Sequence, residues 1–574
     1  MKRRSDSGEF DPARFRNRAR LAVLGLAVVA CALVARAVQL QVLDQEFLAQ
    51  EGDKRYLRDA RMPAHRGAIT DRFGEPLAVS SPVDTVWVNP QVLAQSPDEI
   101  TRLAKALKRD RQWLAQRITS NLDRQFLYVA RHMDPADAAT VKALGIPGVE
   151  LMREYRRYYP NGEVTGHLLG FTNLDEAGQE GLELAYNQSL AGIHGLKRVV
   201  KDARGRIVEN VESIRAPRPG EDLETSIDLR IQYLAYRELK SAVMTHRALA
   251  GSVIVVDVQT GEVLAMVNQP SFNPNDRSQY DVARYRNRAV TDIIEPGSSI
   301  KPFVMAAALR SGRYRPGSIV DTSPGSIQVG IKKITDKHNL GQASMSTILA
   351  RSSNVGMAKI ALSLEPQQIH DTLTGLGFGQ VTASGFPGES AGLLSAASHW
   401  RPIGIATLAY GYGLSVTPLQ LAQAYATIGA YGVRRPVTFR RVDGPVPGER
   451  VLEQDVSRDM IGLLEHVVGK DGTGVKAAVP GYRVAGKTGT AWKATGGGYS
   501  TNRYTSMFAG LVPATRPRLA VVVLIDEPSG SLFYGGDVAA PVFSAVMSGA
   551  LRLMGVAPDD LSQVTPATVV QATP

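Results

Sequence analysis

Leu21 to Ala35 (LAVLGLAVVACALVA) carries no charge and no strongly polar group. The run is shorter than the ~20 apolar residues that a membrane span needs. Arg36 can snorkel toward the headgroups, and Ala37 to Val42 continues as an amphipathic helix, so the segment is long enough to cross. Lys2, Arg3, Arg4, Arg14, Arg16, Arg18 and Arg20 precede it, against Asp6, Glu9 and Asp11. Basic residues before a span predict a cytoplasmic N-terminus and a chain that continues beyond the inner membrane. Two rival readings exist. Ala35-Arg36-Ala37 is a poor signal-peptide cleavage site, and Val28-Val29-Ala30-Cys31 resembles a lipoprotein box. The helix pattern running on past Cys31 favours a retained anchor. Residues 1–20 then form a basic cytoplasmic tail, and 21–41 the anchor.

The anchor also decides how the net charge of +11 is read. A basic arm followed by an apolar run points to a membrane and not to nucleic acid. Cys31 is the sole cysteine, which excludes an intrachain disulfide and a cysteine-ligated metal. At 574 residues the chain exceeds a single core, so at least two domains are expected.

Beyond the anchor, Ala64 to Ala78 reads as strand, turn, strand, with Gly74 in the turn. Residues 98–145 read as charged and helical. A strand pair is expected to turn through Lys201 to Arg206, and Pro217-Arg218-Pro219-Gly220 marks a boundary. His167 has no partner at metal spacing and reads as a packed residue. A helix over Leu229 to Val243 precedes a hairpin, Ser252 to Val258 and Glu262 to Val267, turning at Gln259-Thr260-Gly261. Pro418 to Gly429 reads as another helix. Met507 to Val512 and Leu519 to Ile525 read as adjacent antiparallel strands, after a turn at Gly496-Gly497-Gly498. The end of the chain, 557–574, is rich in Thr, Val, Ala and Pro and reads as disordered.

Chemistry concentrates at Ile294 to Phe303. Ser298 and Lys301 are the only Ser-x-x-Lys pair in the chain. Pro302 fits only the first turn of a helix, because deeper it deletes a ladder hydrogen bond. The helix must therefore begin near Gly297 to Ser299. Residues i and i+3 share a helix face, which lets the Lys301 amine approach the Ser298 hydroxyl. A serine needs a base to become a nucleophile, and a lysine can serve when burial or a second cation lowers its pKa. Alone, the pair reads equally well as an N-cap and a solvated lysine. Ser352-x-Asn354 and Lys487-Thr488-Gly489 follow in order. Together the three make up the motif set of serine β-lactamases and penicillin-binding proteins.

The likeness extends over nearly the whole chain, which resembles a class B penicillin-binding protein. Arg66-Gly67-x-Ile69-x-Asp71-Arg72-x-Gly74 and Gly178-x-Glu180-Gly181-x-Glu183 are similar to that class's non-catalytic module. Arg286 to Val290, Glu295-Pro296-Gly297-Ser298, Ala409 to Ala422, Val475 to Ala478 and Tyr534-Gly535-Gly536 resemble the division-specific septal transpeptidase of Gram-negative bacteria. Ser299-Ile300 departs conservatively from the Thr-Val of many relatives.

The resemblance implies a mixed α+β fold: a pedestal and partner-binding module over 42–220, then a transpeptidase domain over 221–556. That domain has an antiparallel sheet with helices on both sides. The implied reaction cross-links stem peptides ending in D-Ala-D-Ala through a Ser298 acyl-enzyme, with β-lactams as inhibitors. Lys301 acts as base, with the choice between the two lysines left open by the sequence; Lys487 adds positive potential, Ser352 relays the proton, and Asn354 bonds the peptide. Thr488 and Thr490 hold the substrate carboxylate. The strand from Lys487 through Gly489 to Thr490 pairs with the substrate backbone, and the amides of Ser298 and Thr490 form an oxyanion hole. Implied partners are a SEDS-family glycan polymerase and other division proteins, at the septum. No cofactor, metal or nucleic acid is expected. An elongation-specific class B enzyme and a conditional division paralogue are the nearest alternatives. A β-lactamase has no need of the pedestal, and a D,D-carboxypeptidase would use water as acceptor.

Overall fold

The computed structural model describes residues 12–45, 57–201, 207–276, 278, 281–496 and 498–560. Most of the expected terminal tails, the turn after Lys201 and the tip at Gly497 lie outside the described residues. Helix α1, Pro12–Val38, runs into a π-helical turn over Gln39–Leu43. Its apolar stretch, Arg16–Leu43, is long enough to cross a membrane and none of its central window is buried. By length and composition this helix can serve as an N-terminal membrane anchor.

The chain divides into two compact units. Unit 1 comprises Met1–Ala64, Pro82–Glu154 and Ile193–Arg218. Its core gathers Val86, Val88, Leu103, Leu114, Ile118 and Val129. Helices Pro97–Ala106 and Pro135–Ala143 both start on a proline, whose missing N–H costs nothing in a first turn. Asp110 caps Arg111–Thr119 by accepting from the Trp113 N–H at 2.7 Å. The reading of 98–145 as helical is corrected at Leu127–Met133, which is a strand paired to Asp84–Val88. Leu127 and Val129 are buried while Tyr128 and Ala130 are partly exposed, a period of two masked by the charged residues around it.

Unit 2 comprises His65–Ser81, Tyr155–Gly192 and Pro219–Pro574. The Arg66 and Glu183 motifs meet in its core. Arg66 Nε donates to Glu183 Oε2 at 2.7 Å, and Arg157 Nε donates to Glu183 Oε1 at 2.6 Å. All three side chains are at most 2% exposed. His167 is buried, donates from Nε2 to the Arg284 carbonyl at 2.6 Å, and is pushed down to about 4 by burial. It is a packed residue, as read from the sequence.

The centre of unit 2 is an antiparallel sheet flanked by helices. In chain order the elements are α2 (Leu229–Thr245), β1 (Ala250–Asp257), β2 (Val263–Gln269), α3 (Lys301–Arg310), α4 (Asn354–Leu362) and α5 (Pro418–Gly429). They continue with α6 (Gln454–Val468), β3 (Ala485–Thr495), β4 (Gly498–Val512), β5 (Leu519–Asp526) and α7 (Ala540–Leu553). Among the described residues the strand order is β2-β1-β5-β4-β3, which leaves β3 at the edge. Successive residues point to opposite faces. Val253, Val255, Val521 and Val523 pack with α2 and α7 residues such as Ile231 and Phe543. Ile254, Val256, Ala520 and Val522 pack with α3 and α5 residues such as Phe303 and Tyr425. Both faces are covered, which is why these strands read as continuous apolar runs. The mixed architecture with helices on both sides is the one that the sequence predicted.

The alternation also aims the edge strand. Lys487 pairs with Ala509, Ala509 with Val522, and Val522 with Ile254. Lys487 thereby shares the face that packs against α3.

Candidate active site

Ser298 lies in one 3-10 turn, Gly297–Ile300, that runs directly into α3. Pro302 is the second residue of α3, so its lack of an N–H breaks no ladder bond. Lys301 to Leu309 is wholly buried. Phe303 meets Phe378 and Tyr425 edge-on, with ring centroids 5.1 Å apart in both pairs. Two hydrogen bonds fix the turn itself: Ser299 Oγ donates to the Pro296 carbonyl at 2.7 Å, and Tyr425 Oη donates to the Ser299 carbonyl at 3.1 Å.

Two glycines permit the approach of neighbouring segments. Gly411 has φ +93°, and a Cβ there would sit 2.0 Å from the Gly297 carbonyl oxygen. This explains why the Tyr410-Gly411-Tyr412-Gly413 stretch can lie against the serine turn. A Cβ on Gly489 would meet Met507 Cγ at 2.5 Å and the Pro296 oxygen at 3.1 Å. A side chain at Gly489 would push β3 away from Ser298.

Lys301 and Lys487 are both 0% exposed. Lys301 Nζ donates to the Ser352 carbonyl at 2.6 Å, to Ser352 Oγ at 3.2 Å and to Asn354 Oδ1 at 2.7 Å. Lys487 Nζ donates to Ser352 Oγ at 3.1 Å, to the Thr488 carbonyl at 3.2 Å and to Thr488 Oγ1 at 3.3 Å. The Ser352 hydroxyl therefore lies between two buried amines. Ser352 reaches them from a left-handed backbone with φ 56°, a conformation that costs a non-glycine residue about 1–3 kcal/mol. The sequence led us to expect the Lys301 amine beside Ser298. Its hydrogen bonds run to the Ser352–Asn354 loop instead.

Electrostatics follow from this packing. Burial lowers the Lys301 pKa far below that of a free lysine; the Lys487 charge lowers it further, and the Asp336 carboxylate opposes them. Burial pushes Lys487 down to about 7. Two ammoniums around one hydroxyl disfavour double protonation, so one amine is set up to be neutral near neutral pH.

Ser298, Ser352, Asn354, Thr488, Thr490 and Tyr534 line one cleft of about 620 Å³. Thr488 Oγ1 lies 2.8 Å from Thr473 Oγ1. Thr490 Oγ1 accepts from the Gly535 N–H at 3.0 Å. A Cβ on Gly535 would come within 2.2 Å of the Met507 oxygen, so only glycine lets this loop reach β3.

Asp336 escaped the sequence reading. It follows strand Lys332–Thr335 and accepts from the Asn354 N–H at 2.6 Å, the Val355 N–H at 3.1 Å and the Ser353 hydroxyl. Ser353 in turn caps α4 by accepting from the Gly356 N–H at 2.8 Å. Asp336 thus anchors the loop that presents Ser352 and Asn354. No motif marks it, because its partners lie almost twenty residues downstream. Thr473 and Lys337 escaped for the same reason.

A cleft that joins a helix-borne serine, two buried lysines and a free edge strand matches known proteins. Residues 251–548 match the penicillin-binding protein transpeptidase domain, and residues 61–225 match the penicillin-binding protein dimerisation domain. The chain is 43% identical over 535 residues to the peptidoglycan D,D-transpeptidase FtsI of Escherichia coli K12, covering 92% of this chain and 90% of that one. It is 42% identical over 547 residues to the probable peptidoglycan D,D-transpeptidase PbpC of Pseudomonas aeruginosa, covering 95% and 97%. The solved transpeptidase domain of penicillin-binding protein 3 from Burkholderia pseudomallei is 42% identical with a TM-score of 0.54, covering 58% of this chain and 97% of that one. A peptidoglycan synthetase from Bifidobacterium adolescentis is 25% identical with a TM-score of 0.69, covering 89% and 98%. The chain belongs to the penicillin-binding protein transpeptidase family.

Proposed function

We propose that the chain is the D,D-transpeptidase that cross-links septal peptidoglycan, held in the inner membrane by α1 with its catalytic domain on the far side. The observation that carries this reading is the Ser352 hydroxyl set between Lys301 and Lys487 in the Ser298 cleft. Ser298 Oγ attacks the carbonyl between the two terminal D-alanines, and Lys301 takes the proton. The amides of Ser298 and Thr490 hold the oxyanion, where donors already in place cost no reorganisation. Ser352 passes the proton to the departing D-Ala amine as the C–N bond breaks. The ester on Ser298 is then attacked by the amine of a neighbouring stem peptide, which forms the cross-link and frees the serine. Thr488 and Thr490 hold the terminal carboxylate beside the Lys487 charge, and Asn354 bonds the peptide. The edge strand from Lys487 through Gly489 to Thr490 accepts the donor as an added strand. A β-lactam follows the first half of this course. A SEDS-type polymerase supplies the glycan that is cross-linked.

The test replaces the gene with a regulated Ser298→Ala version. Filaments with unfinished septa are expected. Round or swollen cells contradict the septal assignment and indicate elongation. Normal growth contradicts a principal septal role, and labelled penicillin then separates a redundant paralogue from a scaffold.

The two lysines also set the pH dependence. Burial and the Lys487 charge both lower Lys301, and in the proposed mechanism Lys301 is the amine that is neutral while Lys487 is still charged. Acylation requires Lys301 neutral and gains from Lys487 charged. The penicillin acylation rate is therefore expected to rise with pH, peak, and fall again near 7, where Lys487 loses its charge. Lys487→Arg keeps the charge and is expected to remove the falling limb. A rate that stays level from about pH 5 to about pH 9 contradicts these assignments.

A further inference from the structure

The cleft has charged residues on its rim that the mechanism leaves unused. Lys337, Arg351, Lys476, Asp336, Asp471 and Asp537 all line it. Lys476 Nζ donates to Asp537 at 2.7 Å, so those two charges answer each other. The Asp336 carboxylate is committed to the α4 cap. Two exposed cations remain, Lys337 and Arg351, with one acidic neighbour, Asp471. Among the described residues neither cation has a carboxylate within ion-pair distance. Arg351 Nη1 donates to the Asp471 main-chain carbonyl at 3.1 Å and leaves the rest of its guanidinium free for a ligand.

Lys337 is not a loose surface lysine. Its Nζ sits 4.0 Å from the Tyr534 ring centroid and donates to Tyr534 Oη at 2.9 Å. An ammonium has three donors, so this contact leaves two for a ligand. Tyr534 immediately precedes Gly535, whose N–H holds Thr490. On the other side, Lys337 directly follows Asp336, which holds Asn354. The cation is thus positioned relative to Asn354, assigned to the peptide, and to Thr490, assigned to the terminal carboxylate.

We propose that Lys337 and Arg351 form a subsite for a second carboxylate of the donor stem peptide, one carried on a side chain upstream of the two D-alanines. This rests on the proposed function, in which Thr488, Thr490 and Lys487 already receive the terminal carboxylate. A guanidinium and an ammonium fixed on one rim suit a carboxylate, whose two oxygens accept charge-assisted hydrogen bonds. Neither group discriminates in favour of a neutral side chain.

The test measures how well synthetic peptides ending in D-Ala-D-Ala protect the full-length, detergent-solubilised protein from fluorescent penicillin. The residue before the D-alanines carries either a side-chain carboxylate or the corresponding carboxamide. The wild type is expected to be half-protected by the carboxylate peptide at about a tenfold lower concentration than by the carboxamide. In Lys337→Met and Arg351→Met the ratio is expected to fall toward one. The ratio is taken within each protein, so a change in a variant's own labelling rate cancels. Amidating the terminal carboxylate weakens protection by the same factor in wild type and variants. If the variants instead become insensitive to terminal amidation, the two cations read the terminal carboxylate and the proposal fails. A wild-type ratio near one overturns it outright while leaving the Ser298 reading intact. Failure of penicillin to label Ser298 removes the reading beneath both.

Discussion

Lys301→Ala is expected to slow acylation by penicillin by about 10³-fold or more, with the protein still folded. Two losses combine. The substitution removes the amine assigned as base, and a positioned general base contributes about 10²–10⁴-fold. It also leaves the Ser352 carbonyl and Asn354 Oδ1 without their buried donor. An unsatisfied buried acceptor costs about 1–3 kcal/mol, enough to let the Ser352–Asn354 loop move. Lys301→Met keeps the volume, so it avoids the cavity that alanine leaves, and its rate loss comes from the missing amine alone, as base and as donor. Both variants are read by the rate of fluorescent-penicillin labelling, with circular dichroism as the check on folding. A Lys301→Met rate within about tenfold of wild type contradicts the assignment of Lys301 as base.

Glu183→Ala is expected to be among the most destabilising single changes in unit 2. The carboxylate neutralises two guanidiniums that are almost wholly shielded from water, Arg66 and Arg157. Arg66 keeps bonds to the Glu183 carbonyl and Asn187 Oδ1, both at 2.9 Å, and Arg157 keeps one to Ser80 Oγ at 3.2 Å. None of these supplies a charge. Stranding a buried ion costs about 3–5 kcal/mol. Thermal and urea unfolding of the full chain in detergent are the measurements. Glu176, which accepts from the Ser80 hydroxyl at 2.6 Å, is a neighbouring carboxylate able to take over; a loss below about 1 kcal/mol means that it or water replaces Glu183, and the network is not a structural keystone.

Much of the fold was legible because it rests on local periodicity. The β1–β2 hairpin, α5 from Pro418 to Gly429, and β4 and β5 all show their pattern within one window of sequence. Pro302 limited where α3 could begin, since proline fits only the first turn. The order of the three motifs pointed to one cleft, and Ser298, Ser352, Asn354, Thr488 and Thr490 do line one. What stayed hidden depends on contacts between distant segments. Asp336 supports the Ser352–Asn354 loop from a small hairpin, and the 65–81 segment packs within unit 2 through Arg66. The amine of Lys301 turns to Ser352, which a helical i, i+3 spacing does not specify. The strand at Leu127–Met133 was lost because only two of its residues are fully buried amid charged neighbours.

The most direct test of the account is to map the covalent adduct. The full-length protein is incubated with penicillin, digested, and the modified peptide sequenced by mass spectrometry, with Ser298→Ala treated in parallel. The account predicts one penicilloyl adduct, on Ser298 in the peptide that runs into Lys301, and none in the variant. An adduct on Ser352 or elsewhere, or labelling that survives in Ser298→Ala, would contradict the claim that Ser298 is the nucleophile.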